Sequence, residues 1–367
     1  MEPFTAEVSQ VELDDLRDRL RRTRLLADSP GRPWSGMTRD YLGELVESWA
    51  EFDWPERQEW LNRHPQFITP IDGAAVHFVH LRADREDAPA LLVMHGWPHT
   101  FAMQLAYADL LSDFHVVVPS LPGFAFSSTY AAGGMSEERL ASTMHVLMTE
   151  VLGYDRYLTY GEDVTANVND LIAARHPEAV QGILVTHAHF PTPAERERLV
   201  APDAVAFFGA LRSRQESMGG YAHMQGTRPD TLATGLNDSP AGLLAWLVEK
   251  FVEWSDTPSG DPRRVEQRLS RERLLTEAMI YWTTPSIGTS FRPYFDDMDA
   301  DIPPVSVPAS VHIQRHEHDY PESVAREFYR DLRTFERLEQ GGHFAIAEVP
   351  GDMARRTRAF ANELGLL

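Results

Sequence analysis

From about residue 88 the chain repeats one pattern: a short apolar run, a break at glycine, proline or polar residues, then a stretch with helical spacing. The runs "ALLVMHGWP", "FHVVVPSLPGF", "DRYLTYGED" and "GILVTHA" each read as a short buried strand. Strands that alternate with helices imply a mostly parallel sheet with helices on both faces, an α/β fold. Just upstream, "FITPIDGAAVHFVHLRA" sets Asp72-Gly73 between two strand-like runs and predicts a hairpin. The alternation stops near residue 189. From 190 to about 290 the patterns are helical, notably "AGLLAWLVEKFVEW" and "RERLLTEAMIYWTT"; strands then resume with "SVHIQR" and "TFERLE", and the chain closes on the helix "GDMARRTRAFANELG". Neither half of such a sheet buries both faces alone, so a helical block inserted into one sheet is expected rather than two independent domains. At 367 residues, 43% of them hydrophobic, the chain can supply that core.

The first seventy residues read as helical. Ser9 and Glu12 form a capping-box pattern ahead of Leu13, Leu16 and Leu20, and Thr38 precedes a second apolar stripe at Tyr41, Leu42, Leu45, Val46 and Trp49. The expected organisation is a helical extension over 1–65, a first core part over 66–189, a helical cap over 190–295 and a second core part over 296–367. A net charge of -21 argues against nucleic acid and anionic membrane partners. The absence of cysteine excludes disulfides, thiolate nucleophiles and Cys-ligated zinc. With no signal-like start and no run approaching about 18 apolar residues, a soluble cytoplasmic protein is expected.

The chemistry centres on "YGEDVT", residues 160–165, at a strand-to-helix joint. A nucleophile elbow needs a sharp turn with small neighbours and a helix that leaves at once. Gly161 and Thr165 flank Asp163 at the positions such a turn requires, and a helix N-terminus favours the charge; simple helix capping by Asp163 is the competing reading. In "VMHGWP" the turn after a strand can aim the backbone N–H of Trp97 at the elbow, pairing with that of Val164 as an oxyanion hole. "EQGGHFAIAEVP" puts His343 on a flexible glycine loop after the last strand, in the order nucleophile, acid, late histidine.

Together with "GYAHMQGTRPDTLATGLNDSPAGLLAWLVEKF" and "YWTTPSIGTSFRPYF", these motifs resemble the epoxide hydrolases of the α/β-hydrolase superfamily over nearly the whole chain. The resemblance is to the microsomal-like branch with an N-terminal helical extension, in its soluble bacterial form. The resemblance implies an α/β-hydrolase fold with an inserted cap, a small-molecule epoxide as substrate and no cofactor. It implies Asp163 as nucleophile, His343 as base, and Tyr221 and Tyr294 as lid tyrosines on the epoxide oxygen. For the acid that orients the histidine the resemblance implies Glu317 or Asp319, and the offset of Glu317 from the strand matches the family better. The chain departs from many relatives at Glu162, Val164 and Thr165; Glu162 is expected to face away from Asp163, solvated or paired. The enzymatic alternative is a haloalkane-dehalogenase-like hydrolase using the same aspartate, although Val164 offers no halide ligand; a non-catalytic scaffold is the other.

His312, His316 and His318 and the acidic run "FDDMDAD" match no dedicated metal spacing, so no metal is expected, and the acidic run reads as a solvated hinge. "THAHF" reads as packing and hinge structure, and Trp246 and Trp254 as core of the cap first and pocket lining second. Substrate identity stays open between detoxification and biosynthesis, as does homo-oligomerisation.

Overall fold

Strands β4 (Ala90–Val93), β5 (His115–Pro119) and β6 (Tyr157–Gly161) have every residue buried, as strands covered on both faces require. They form the centre of one nine-stranded sheet in the computed structural model, which describes residues 1–31, 36–296 and 300–367. The sheet is completed by β1 (Glu2–Phe4), β2 (Gln66–Ile71), β3 (Ala74–Leu81), β7 (Val180–Val185), β8 (Val305–Ile313) and β9 (Tyr329–Arg337), in the order β1-β2-β3-β5-β4-β6-β7-β8-β9. The first three strands run antiparallel to their neighbours and the rest pair in parallel. Asp72 and Gly73 adopt φ of 47° and 76°, which closes the β2–β3 hairpin in the register Ile71 to Ala74.

The N-terminal segment carries helices α1 (Gln10–Arg21), α2 (Arg39–Ala50) and α3 (Trp54–Asn62). At the start of α1 the Glu12 N–H donates to Ser9 Oγ at 3.3 Å and the Ser9 N–H donates to Glu12 at 2.9 Å, a complete capping box. Thr38 precedes α2 with no side-chain cap bond. The segment is not wholly helical. Glu2–Phe4 pairs with β2, and Phe4 packs on His77 and Phe126 at ring distances of 4.8 and 5.0 Å; that tertiary contact has no local pattern to announce it. The two edge strands thus differ: β1 is three residues long and contains Pro3, whereas β9 carries exposed Arg330, Arg333 and Arg337.

Helix α4 (Phe101–Ala108) follows β4, α5 (Glu137–Val146) precedes β6, and α6 (Ala166–Arg175) leaves β6 through a short 3₁₀ turn at Asp163–Thr165. Between β7 and β8 the chain leaves the sheet. It runs through α7 (Pro193–Arg198), α8 (Pro202–Met218), α9 (Gly220–Thr227), α10 (Pro229–Asp238), α11 (Pro240–Trp254), α12 (Arg271–Thr283) and α13 (Arg292–Phe295). The N-terminal helices brace this insertion: buried Arg57 donates to Thr276 Oγ1 at 2.8 Å and Glu272 at 2.9 Å, and the Tyr41 hydroxyl donates to Glu266 at 3.0 Å. After β8 come α14 (Glu322–Phe328), β9, α15 (Ala345–Glu348) and α16 (Pro350–Glu363). The acidic run read as a hinge falls largely on 297–299, outside the described residues. Among the described residues no helix is long and apolar enough to cross a membrane.

Candidate active site

Asp163 stands at the carboxyl end of β6 with φ of +52°, a left-handed conformation that costs a non-glycine residue energy and marks a position held by its surroundings. The turn closes because Gly161 has no side chain: a Cβ there would lie 2.3 Å from the Thr165 carbonyl oxygen. Gly96 serves the facing turn in the same way, since its Cβ would stand 2.5 Å from that of Asp163. The backbone N–H of Trp97 consequently reaches Asp163 Oδ1 at 2.8 Å. Val164 lines the cavity beside Asp163.

His343 Nε2 lies 3.2 Å from Asp163 Oδ2, and His343 Nδ1 lies 3.1 Å from Glu317 Oε2. Three chain segments that each follow a different strand thereby form one carboxylate–imidazole–carboxylate string. The glycine loop is held rather than flexible: His343 N–H donates to the Trp254 carbonyl at 2.9 Å, Gly341 N–H donates to Asp256 at 3.0 Å, and a Cβ on Gly342 would strike the Trp254 carbonyl at 2.4 Å. Glu348 in α15 accepts the Asp256 N–H at 2.8 Å and the Phe344 N–H at 3.3 Å, pinning both ends of that contact. Of the two candidate acids, Asp319 points outward to Arg337 with a side chain 94% exposed, and it makes no approach to the string. Glu317 is the one on the histidine.

Burial disfavours a charged imidazole, but the bonds to Asp163 and Glu317 outweigh it and push His343 up to about 10. Burial likewise opposes ionisation of Asp163, yet His343 and the Trp97 N–H hold it down at about 2. Glu317 is lowered further still, its burial overcome by His343 and then by Arg214. The resting site is therefore an imidazolium between two carboxylates.

The helical insertion supplies the opposite wall. Tyr221 stacks on Trp97 with ring centres 5.4 Å apart, and Tyr294 stands 5.8 Å from Tyr221 and 5.9 Å from Trp97. Burial, and for both the nearby Asp163 charge, push the phenols above their ordinary range, so both keep their protons. Trp254, at the end of α11, packs 4.8 Å from His343 and 5.2 Å from Tyr221; it belongs to the site wall before it belongs to the insertion's core. Trp246 sits instead by a separate cavity under α1 and α2. A cavity of about 450 Å³ joins Asp163, His343, Tyr221 and Glu317 to apolar Leu211, Met218 and Phe190. The separate cavity by the N-terminal helices is larger, about 1040 Å³, but holds none of these groups, so convergence of chemistry rather than size locates the site.

Glu162 takes the second of its two expected arrangements, turned away from Asp163 and paired. It is fully buried, not solvated, and its carboxylate accepts from Gln104 Nε2 at 2.7 Å and the Tyr160 hydroxyl at 2.6 Å, with His99 Nε2 at 2.7 Å. Burial raises its pKa, and the bonds to His99 and Tyr160 more than reverse that. The reading of "THAHF" as packing and hinge structure does need correction: His187 Nε2 stands 3.1 Å from His343 Nδ1, inside the site. Its place at the carboxyl end of β7, the edge from which the other functional turns spring, was the available signal. Burial and the neighbouring His343 push His187 down to about 4, so it is neutral. His187, Glu317 and His343 also form the one group among the described residues whose potential metal-ligand atoms lie within 4.8 Å of one another, and these atoms already pair among themselves. His312 is buried against Ser310 and Glu336, His316 forms an isolated bridge with Gly342, and His318 lines the cavity.

Comparison with known proteins places this geometry in context. The family model described as the epoxide hydrolase N terminus matches residues 1–103, and that of the alpha/beta hydrolase fold matches residues 89–215. Epoxide hydrolase 1 of Oryctolagus cuniculus is 31% identical over 96% of this chain and 87% of its own. Juvenile hormone epoxide hydrolase of Bombyx mori is 30% identical over 97% of this chain and 85% of its own. The crystal structure of the Bombyx mori enzyme superposes with a TM-score of 0.91 at 29% identity, covering 99% of this chain and 94% of that one. The Aspergillus niger epoxide hydrolase structure gives 0.85 at 26%, covering 99% and 96%.

Proposed function

The chain belongs to the epoxide hydrolase family within the α/β-hydrolase fold, and we propose that it opens its epoxide through a covalent ester on Asp163. It is a hydrolase that converts an epoxide and water to a vicinal diol. The observation that carries the mechanism is the division of the Asp163 carboxylate: Oδ1 rests on the Trp97 N–H and Oδ2 faces His343 and the cavity.

Oδ2 attacks a ring carbon and the carbon–oxygen bond of the epoxide breaks. The departing alkoxide takes a proton from Tyr221 or Tyr294, neutral phenols that donate without a positive charge having to be desolvated. Esterification removes one of the two anions that held the proton on His343. The imidazolium can then return the tyrosinate's proton and become the base. Water adds to the ester carbonyl as His343 takes its proton, and the oxyanion forms on Oδ1, which the Trp97 N–H already meets; the N–H of Val164 is assigned as the second donor. Collapse breaks the bond to Oδ2, His343 protonates the second alkoxide, and the diol leaves. The carboxyl proton left on Asp163 passes to His343, restoring the resting ion pair. Glu317 orients the imidazole through Nδ1 throughout. The inserted helices act as a cap over residues 190–295 that presents the phenols to the epoxide.

The test is to incubate the His343→Gln protein with a styrene-type epoxide and weigh the intact chain and its peptides. An adduct of the epoxide's mass on the Asp163 peptide is expected; diol formation with no ester at Asp163 sinks the mechanism. Haloalkanes run beside the epoxides check the reaction class.

A further inference from the structure

One charged group of the inserted helices reaches into the catalytic string from the side that the mechanism leaves unassigned. Arg214, on α8, places Nη1 3.2 Å from Glu317 Oε1, while the other oxygen of that carboxylate holds His343. The Glu317 side chain is only 8% exposed and that of Arg214 28%, so the pair sits at the cavity wall, not in bulk solvent. We propose that Arg214 is a positioning residue for the ester-hydrolysis half of the reaction: it shares Glu317 with His343 and thereby limits how tightly that carboxylate retains the proton on the base.

This rests on the Asp163 and His343 roles proposed above. In the ester intermediate Asp163 carries no charge, which leaves Glu317 as the anion bonded to His343. Around the imidazole the remaining groups are uncharged: His187 from the turn after β7 is held neutral, as is His318, 3.4 Å from Glu317, and Tyr221 on α9 keeps its proton. Lys250 on α11 faces the Tyr221 ring but is paired with Glu249 and Glu253 at 2.7 Å each. Among the described residues Arg214 is therefore the cation with direct hold on the acid. Two effects follow with the same sign. The guanidinium neutralises part of the Glu317 charge, and it repels a second cation nearby; both release the proton from His343 and make it a base at lower pH. Because α8 belongs to the inserted helices, the guanidinium reaches the string from the insertion and not from the sheet.

The experiment is single-turnover kinetics on the whole protein with a styrene-type epoxide, following ester formation and ester decay across pH for wild type, Arg214→Gln and Arg214→Lys. Expected for Arg214→Gln is a shift of the midpoint for ester decay to higher pH by about one unit, with ester formation at saturating substrate changed less than about threefold. Arg214→Lys should recover much of the midpoint. A merely structural contact predicts slower decay with an unmoved midpoint, or equal slowing of both halves, and either result overturns the inference. If wild type makes diol without any ester, it is the mechanism of the preceding section that fails.

Discussion

Asp163 and Glu162 are consecutive carboxylates on one turn, and the structure sends them to opposite sides of it. Asp163 faces the cavity with two partners, one backbone N–H and one imidazole. Glu162 lies beneath the elbow, enclosed by His99, Gln104 and Tyr160. In both, hydrogen bonds overcome burial and favour the ionised form. What separates them is the freedom of the donors. Asp163 keeps Oδ2 at the cavity beside an imidazole; the three side chains on Glu162 enclose both of its oxygens. Glu162 also links the strand end to His99, two residues past Trp97, and so ties the turn that carries Asp163 to the turn whose N–H meets it. The two carboxylates thus share the direction of their shift and differ in what surrounds them.

That contrast can be attacked directly. Asp163→Ala should drop diol formation by at least about 10⁴-fold in steady-state assays while circular dichroism shows an intact fold; retained turnover would leave the elbow without its nucleophile. Tyr221→Phe with Tyr294→Phe should slow ester formation by about 10²- to 10⁴-fold and ester decay far less, read from single turnovers. Glu162→Gln should do the reverse of Asp163→Ala: its chief cost is stability, about 2–4 kcal/mol by denaturant titration, because an amide cannot satisfy donors arranged for a buried carboxylate. Turnover of the folded Glu162→Gln protein should fall roughly tenfold, through the Trp97 turn. A protein of unchanged stability but no activity would make Glu162 a participant in the chemistry.

The smallest effect expected is on pH. Glu277 on α12, which accepts the Thr100 N–H at 2.7 Å, and Glu348 are each pushed up to about 7, chiefly by burial. A carboxyl raised in the folded state contributes stability in full below the ordinary value near 4.5, and that contribution is lost as pH rises through about 7. Melting temperature should therefore decline by a few degrees over that window, and Glu277→Gln should flatten part of the decline. A slope unchanged by the substitution would place the proton elsewhere.

The convergence of Asp163, Trp97 and Glu317 was legible because each follows a strand whose apolar run is plain in the sequence: Asp163 after "DRYLTY", Trp97 after "ALLVM", Glu317 after "SVHIQR". Tertiary partners were not. The burial of Glu162 depends on Gln104 and His99, far along the chain, and nothing in "YGEDVT" announces them. Arg214 has the look of any helical surface arginine until α8 is laid over Glu317. Strand β1 is too short to carry a period and exists because β2 offers it a ladder.

That short strand matters for the fate of the molecule in a crowded solution. An open sheet ends in two rows of unpaired amide groups, and a long flat row is a template on which a second chain can zip up. Here one row is blunted by three residues with a proline among them, and the other is studded with exposed arginines. Neighbouring copies find poor purchase at either margin, so self-association through strand addition is disfavoured at both ends of the sheet.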